Sequence, residues 1–133
     1  ICGLIGLAAA ADFGSHMYSN LSKKSKKELK MKGATKIQSK NFSYTLSKKF
    51  FLEAKKNKIL DKPFIFNKPF ILIHGLKDSV VNYKMPQKIM NNTKSNNIQI
   101  HYLKSSDHRL SKKNDLISIN NTITLVRNLI KLS

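Results

Sequence analysis

The sequence has no tryptophan, one cysteine (Cys2), three prolines, five glycines and only 7 Asp+Glu against 25 Lys+Arg in 133 residues. A lone cysteine excludes an internal disulfide and with it a small disulfide-stapled secreted domain; a reducing, cytoplasmic location is the expectation that follows. His, Cys and carboxylates do not recur at ligand spacings, so neither a metal nor an organic cofactor is expected. No run approaches the roughly 20 apolar residues a membrane-spanning helix needs, so no transmembrane segment is expected. The opening ICGLIGLAAAA imitates the apolar part of a secretory signal, but it lacks a basic start and is read as a buried strand. The chain starts at Ile1 inside this run, and the expectation is that further sequence precedes it. Nothing in the composition sets an oligomeric state.

What is plentiful is lysine. The formal net charge is +18, yet Arg109 and Arg127 are the only arginines. The arginine forks that read base edges, and aromatics interleaved for stacking, are missing. Lysine is spread along the whole chain together with abundant Asn and Ile, so specific nucleic-acid binding is not expected. Charge of this size still implies non-specific attraction to anions. A competing reading is therefore a non-catalytic basic α/β module that binds nucleic acid or an anionic surface through the segment Ser22 to Lys32.

Hydrophobic patterning predicts a mostly parallel sheet covered by helices. Residues 2 to 10 read as a short buried strand and Ala11 to His16 as a loop. A basic helix follows, with Ser25 and Glu28 spaced as a capping box and Gly33 placed to end it. A polar Ser/Asn-rich connection leads to a second helix, on which Leu46, Phe50 and Ala54 share one face. Pro63 and Pro69 bracket an extended connection. Phe70 to Ile73 form a second buried strand that exits at His74-Gly75. Met85 to Asn91 form a helix with Pro86 in its first turn, and Ile98 to Leu103 form a third strand. The last helix carries an apolar stripe of Leu116, Ile119, Ile123, Val126 and Ile130. Strands alternating with helices give an α/β fold, with parallel strands and helices on both faces. Residues 12–62, lying between strands, are either a small helical cap or ordinary crossover helices.

The chemistry is expected at the carboxyl ends of the second and third strands, where parallel sheets gather functional groups. The turn His74-Gly75-Leu76-Lys77-Asp78 delivers a carboxylate just past one strand. The loop Ser105-Ser106-Asp107-His108 delivers an imidazole just past the next. If these strands are neighbours, Asp78 can hold Nδ1 of His108 and leave Nε2 free to take a proton from a nucleophile. A turn aspartate and a solvated loop histidine are the plainer alternatives. Acid before histidine in chain order is the arrangement of α/β-hydrolases.

The residues themselves carry that likeness further. PFILIHGLKDSVV followed by IQIHYLKSSDHRLS resembles the acid and histidine segments of α/β-hydrolases of the serine esterase and thioesterase type. The branch with palmitoyl-protein thioesterase and acyl-glucuronide esterase activities is the most similar. GLIGLAAAADF resembles the strand and loop after the nucleophile helix, and FFLEAKKNKILDKPFIF resembles a short cap and its exit. The resemblance implies the C-terminal part of an α/β-hydrolase domain, with Asp78 as triad acid and His108 as general base. It implies a small-molecule or acylated substrate cleaved at an ester or thioester bond. His74 would order its turn, and Arg109 would pair with a nearby carboxylate. Asp12, Phe13, Phe50 and Phe51 are taken as walls of an acyl pocket, with core packing as their alternative. No G-x-S-x-G occurs in these residues. The serine and the oxyanion hole are therefore expected upstream, the 133 residues alone are expected to be inactive, and a degenerate hydrolase is the further alternative.

Overall fold

The structure is a computed structural model and describes residues 1–38 and 43–132. The chain divides into two compact units, one made of Ile1–Ala11 with Leu60–Ser133 and the other of Asp12–Ile59.

The first unit is built on three parallel strands: β1 (Leu4–Leu7), β4 (Phe70–Gly75) and β5 (Ile98–Leu103), in the order β1-β4-β5. Every residue of β4 is buried, because as the middle strand it has a neighbour on each edge and a packed layer on each face. That explains its unbroken apolar run, where a half-exposed strand would alternate. Alternate side chains serve opposite faces. Phe70 and Leu72 join Val81, Met85 and Ile89, packed by Ile98 and Ile100; Met85 and Ile89 lie on α4 (Met85–Asn92). On the other face Ile73 joins Ala8 and Leu110, packed by Ile5, Leu103 and Ile119, the last on α5 (Lys113–Lys131). Each large apolar side chain buried this way contributes about 1.5–3 kcal/mol. Among the described residues no helix is long and apolar enough to cross a membrane.

The α/β class and the parallel register are as the sequence predicts, but several elements differ. β1 is not fully buried: Leu4 and Leu7 at its two ends are exposed. The apolar stripe expected on α5 is rotated. Val126 is buried and Ile119 packs inward, whereas Leu116 and Ile123 are exposed and Asp115 and Thr122 are buried in their place. Two polar side chains on the inward face are tolerated because each has a hydrogen-bond partner, which apolar spacing alone does not register.

The second unit holds α1 (Phe13–Asn20), α2 (Lys23–Lys32), β2 (Ala34–Gln38), β3 (Ser43–Ser47) and α3 (Lys48–Lys56). The segment expected as a loop over Ala11 to His16 largely belongs to α1, which Asp12 starts from a left-handed conformation (φ 55°). α2 is capped by Ser22, whose hydroxyl accepts from the Ser25 amide. Ser25 is thus not the cap, and Glu28 instead accepts from the Thr35 hydroxyl at 2.7 Å. Gly33 ends the helix at φ 73°, a conformation glycine adopts without penalty. The polar connection is an antiparallel pair, with Thr35 facing Leu46 and Ile37 facing Tyr44; its middle, residues 39–42, lies outside the described residues. Leu46 accordingly lies on β3 rather than on the helix, and α3 starts after Ser47, which accepts from the Phe50 amide.

Candidate active site

The strand order makes β4 and β5 parallel neighbours with Gly75 opposite Leu103, so both chains leave the sheet at the same edge. The two exits are then joined backbone to backbone: Leu76 N–H donates to Leu103 O at 3.0 Å and Lys77 N–H donates to Ser106 O at 2.9 Å. This close approach requires glycine at position 75. A Cβ there would lie 2.3 Å from Ser106 O and 2.7 Å from Asp107 O, both backbone atoms that no rotamer change can move.

Past Gly75 the chain turns at Asp78, whose Oδ1 accepts from the Val80 and Val81 amides at 2.8 Å each. These bonds fix the carboxylate plane and aim Oδ2 at the neighbouring loop, where His108 Nδ1 lies at 2.9 Å. The Asp78 carboxylate is fully buried, while the His108 ring is 40% exposed. Burial by itself raises the pKa of Asp78, but the Val81 amide, the His108 ring, the Val80 amide and the charge His108 can carry together outweigh it. The net effect holds the acid below its usual value. An ionised Asp78 accepts the Nδ1 proton and leaves the Nε2 lone pair of His108 available as a base.

His74 is fully buried, and its Nε2 lies 3.1 Å from Val81 O and 3.5 Å from Asp78 Oδ2. A carbonyl only accepts, so Nε2 carries the proton; Nδ1 has no partner among the described residues. The ring thus ties β4 to the far side of the aspartate turn, which is the ordering role expected of it. Arg109 is exposed and makes no ion pair among the described residues; its amide donates to Asp107 Oδ1 at 3.0 Å. The pairing expected of its guanidinium is therefore not present.

Sequence reasoning passed over two residues that hold the histidine loop. Ser106 is buried and donates to Asp115 Oδ1, and Asp115 Oδ2 accepts from the Lys112 amide at 3.1 Å. One carboxylate therefore starts α5 and pins the loop two residues before His108. The signal was legible: Ser106 and Asp115 bracket the DHR segment, with Asp115 in the first helical turn where acids cap. On the other side of His108, Leu110 is buried with φ 49°, a strained backbone held in place by its packing against Ile73 and Ala8.

The four residues taken as pocket walls all belong to the second unit or its boundary. Asp12 Oδ1 accepts from the Ile59 amide at 2.8 Å, tying the first residue of that unit to its last. Phe13 and Phe50 are exposed, and Phe51 is buried against Phe50 and Tyr18 in edge-on ring contacts. Of the four, Phe51 lines a cavity of about 760 Å³ inside this unit. Among the described residues no group of three or more His, Cys, Asp or Glu is gathered that could hold a metal ion.

No protein-family model matches the chain. Curated relatives do. Human palmitoyl-protein thioesterase ABHD10, named as mitochondrial, is 32% identical over 119 residues, covering 87% of this chain and 39% of that protein. The Pongo abelii protein of the same name is 31% identical over the same shares. Among solved structures, the mouse α/β-hydrolase domain-containing protein 10 superposes with a TM-score of 0.82 at 29% identity, covering 98% of this chain and 53% of that one. A hydrolase-assigned protein from Agrobacterium vitis S4 superposes with a TM-score of 0.86 at 20% identity, covering 93% and 49%, a likeness of fold. The chain thus spans about two fifths of the length of the curated relatives it matches. The cytoplasmic location expected from a single cysteine is corrected by these relatives, which are named as mitochondrial. Cysteine usage distinguishes oxidising from reducing surroundings but not one reducing compartment from another. By sequence and by fold, the chain is similar to α/β-hydrolases, among them proteins named as palmitoyl-protein thioesterases.

Proposed function

We propose that Asp78 and His108 are the acid and the base of a Ser-His-Asp triad that cleaves carboxylic ester or thioester bonds, with the serine supplied by sequence outside these 133 residues. The observation that carries this reading is the 2.9 Å contact between His108 Nδ1 and the buried Asp78 carboxylate on the adjoining strand end. In the reaction, His108 Nε2 takes the serine proton as the hydroxyl attacks the acyl carbon, and Asp78 stabilises the imidazolium that forms. The imidazolium then gives its proton to the departing alcohol or thiol. His108 next removes a proton from water as it attacks the acyl-enzyme, and returns that proton to the serine oxygen as the carboxylic acid leaves. Residues 12–62, inserted between strands and containing the compact unit Asp12–Ile59, are on this reading a small helical cap. The 133 residues contain no G-x-S-x-G, and on this reading they are inactive by themselves.

The test is hydrolysis of p-nitrophenyl esters and acyl thioesters by two proteins: the 133-residue chain, and the chain extended by its upstream coding sequence. The short chain should give no turnover above buffer. The extended protein should turn over, and His108→Ala and Asp78→Asn should each lower kcat by on the order of 10⁴–10⁶-fold. Turnover that survives His108→Ala, or upstream sequence with no serine elbow, would overturn the proposal; the latter result would leave a degenerate hydrolase.

A further inference from the structure

We infer that the cavity inside the second unit binds an anionic amphiphile, an aliphatic chain ending in a phosphate group. This site stands on residues 12–59 alone and does not depend on the dyad. Its volume of about 760 Å³ lies within the roughly 300–1,000 Å³ of pockets that hold small molecules. The apolar part of the lining comes from Leu29 and Phe51, both buried, with Leu52 and the Tyr18 ring beside them. The charged part is of one sign: Lys26, Lys27, Lys30, Lys48, Lys55 and Lys58 line the same cavity and no carboxylate does.

That one-sidedness is specific to this unit's wiring. Residues 12–59 contain thirteen lysines and three carboxylates, and none of the three acids lines the cavity. Asp12 accepts from the Ile59 amide, Glu28 accepts from Thr35, and Glu53 pairs with Lys56, which is outside the lining. Lys27, Lys30, Lys48 and Lys55 make no ion pair among the described residues. Lys26 is held at the cavity by its donation to Ser19 O at 3.0 Å and by its position 5.6 Å over the Tyr18 ring. A cavity lined by apolar side chains and by several lysines, with no carboxylate, is complementary to a molecule that is apolar at one end and multiply anionic at the other. Phosphate meets this better than carboxylate, because several ammonium groups can each hold a different oxygen. A second, independent feature points the same way. Ser15 lines the cavity, and its Oγ is buried with no hydrogen-bond partner among the described residues. A buried hydroxyl without a partner is uncommon, and a ligand oxygen would satisfy it.

Isothermal titration of the full chain, below micelle-forming concentrations, tests this with four probes: dodecyl phosphate, dodecyl maltoside, dodecyltrimethylammonium and inorganic phosphate. Dodecyl phosphate should bind saturably at one per chain, and each of the other three at least about tenfold more weakly, since each lacks one of the paired contacts. Its affinity should fall with salt as the lysines are screened. The combined variant Lys27→Gln, Lys30→Gln, Lys55→Gln, all at exposed positions, should weaken binding at least about tenfold with an unchanged circular dichroism spectrum. Ser15→Ala should weaken it less. Changing Lys104, Lys113 and Lys131, none of which lines the cavity, should leave it unaltered. Equal losses from the two lysine sets would reduce the effect to the general attraction of a chain with net charge +18 and overturn the inference. So would maltoside binding as tight as that of the phosphate, or uptake seen only once micelles or vesicles form.

Discussion

Replacing Gly75 by alanine is the sharpest perturbation of the site that leaves every functional group in place. The added Cβ would sit 2.3 Å from Ser106 O, 2.6 Å from Ser106 C and 2.7 Å from Asp107 O. Backbone atoms cannot rotate away, so the loop carrying His108 must lift off β4 by most of an ångström or more. Inserting a methyl into a packed site costs about 1–3 kcal/mol. Here the displaced loop also endangers the Lys77 to Ser106 backbone bond and the His108 to Asp78 contact. We expect a loss of about 2–4 kcal/mol in urea denaturation, together with loss of the downfield Nδ1 proton resonance of His108. Gly33→Ala is the control. It also meets a positive φ, 73°, but open space, so it should cost about 1 kcal/mol and leave the His108 resonance where it was. If Gly75→Ala proves no more destabilising than Gly33→Ala and the resonance persists, the close approach of the two loops is not what positions the dyad.

Three further outcomes follow from the same geometry. Because the folded pKa of Asp78 lies below its ordinary value of 3.8, its contribution is fully present above that value and is lost as pH falls through the lowered one. Urea midpoints measured against pH should therefore converge for wild type and Asp78→Asn in strong acid; a gap that stays constant down the acid limb refutes this. Asp115→Ala leaves the buried Ser106 hydroxyl and the Lys112 amide without their acceptor, and should cost about 1–3 kcal/mol; a change within about 0.5 kcal/mol would remove Asp115 from the loop's support. On α5, Val126→Ala should destabilise by about 1–3 kcal/mol, whereas Leu116→Ala should fall within about 0.5 kcal/mol, and the reverse order would restore the stripe read from spacing.

The parallel sheet was legible because β4 is four apolar residues running into His74-Gly75, and such a run is stable only with packing on both faces. The meeting of Asp78 with His108 was foreseeable from the same logic, since each follows its strand within five residues and parallel neighbours share an exit edge. The hairpin of β2 and β3 was not read. Its alternation (Thr35, Ile37; Tyr44, Leu46) is only two side chains long on each strand, and Leu46 happens to stand one helical turn before Phe50. The α5 stripe misled for a related reason. Leu116 and Ile123 keep helical spacing with Ile119 and Val126, but the inward face also holds Asp115, bonded to Ser106 and Lys112, and Thr122, polar positions that counting apolar residues does not weigh.

The histidine loop needs support from two directions. His108 sits on a short exposed stretch between Asp107 and Arg109, and a single hydrogen bond to Asp78, net of competition from water, contributes only about 1.5–3 kcal/mol even when charged. Left to itself such a loop would sample several arrangements. On its amino side it is pinned by Ser106 to Asp115 and by backbone to Lys77; on its carboxyl side Leu110 is driven into the core despite a φ of 49°. With both flanks fixed, the ring has few ways to point, and the carboxylate selects one of them. Orientation of the imidazole is thus set mainly by packing and backbone bonds around the loop. Loosening Leu110, by Leu110→Ala, should therefore broaden the His108 ring resonances even though no atom of the dyad is touched; sharp, unshifted resonances in that variant would place the control in the Asp78 contact instead.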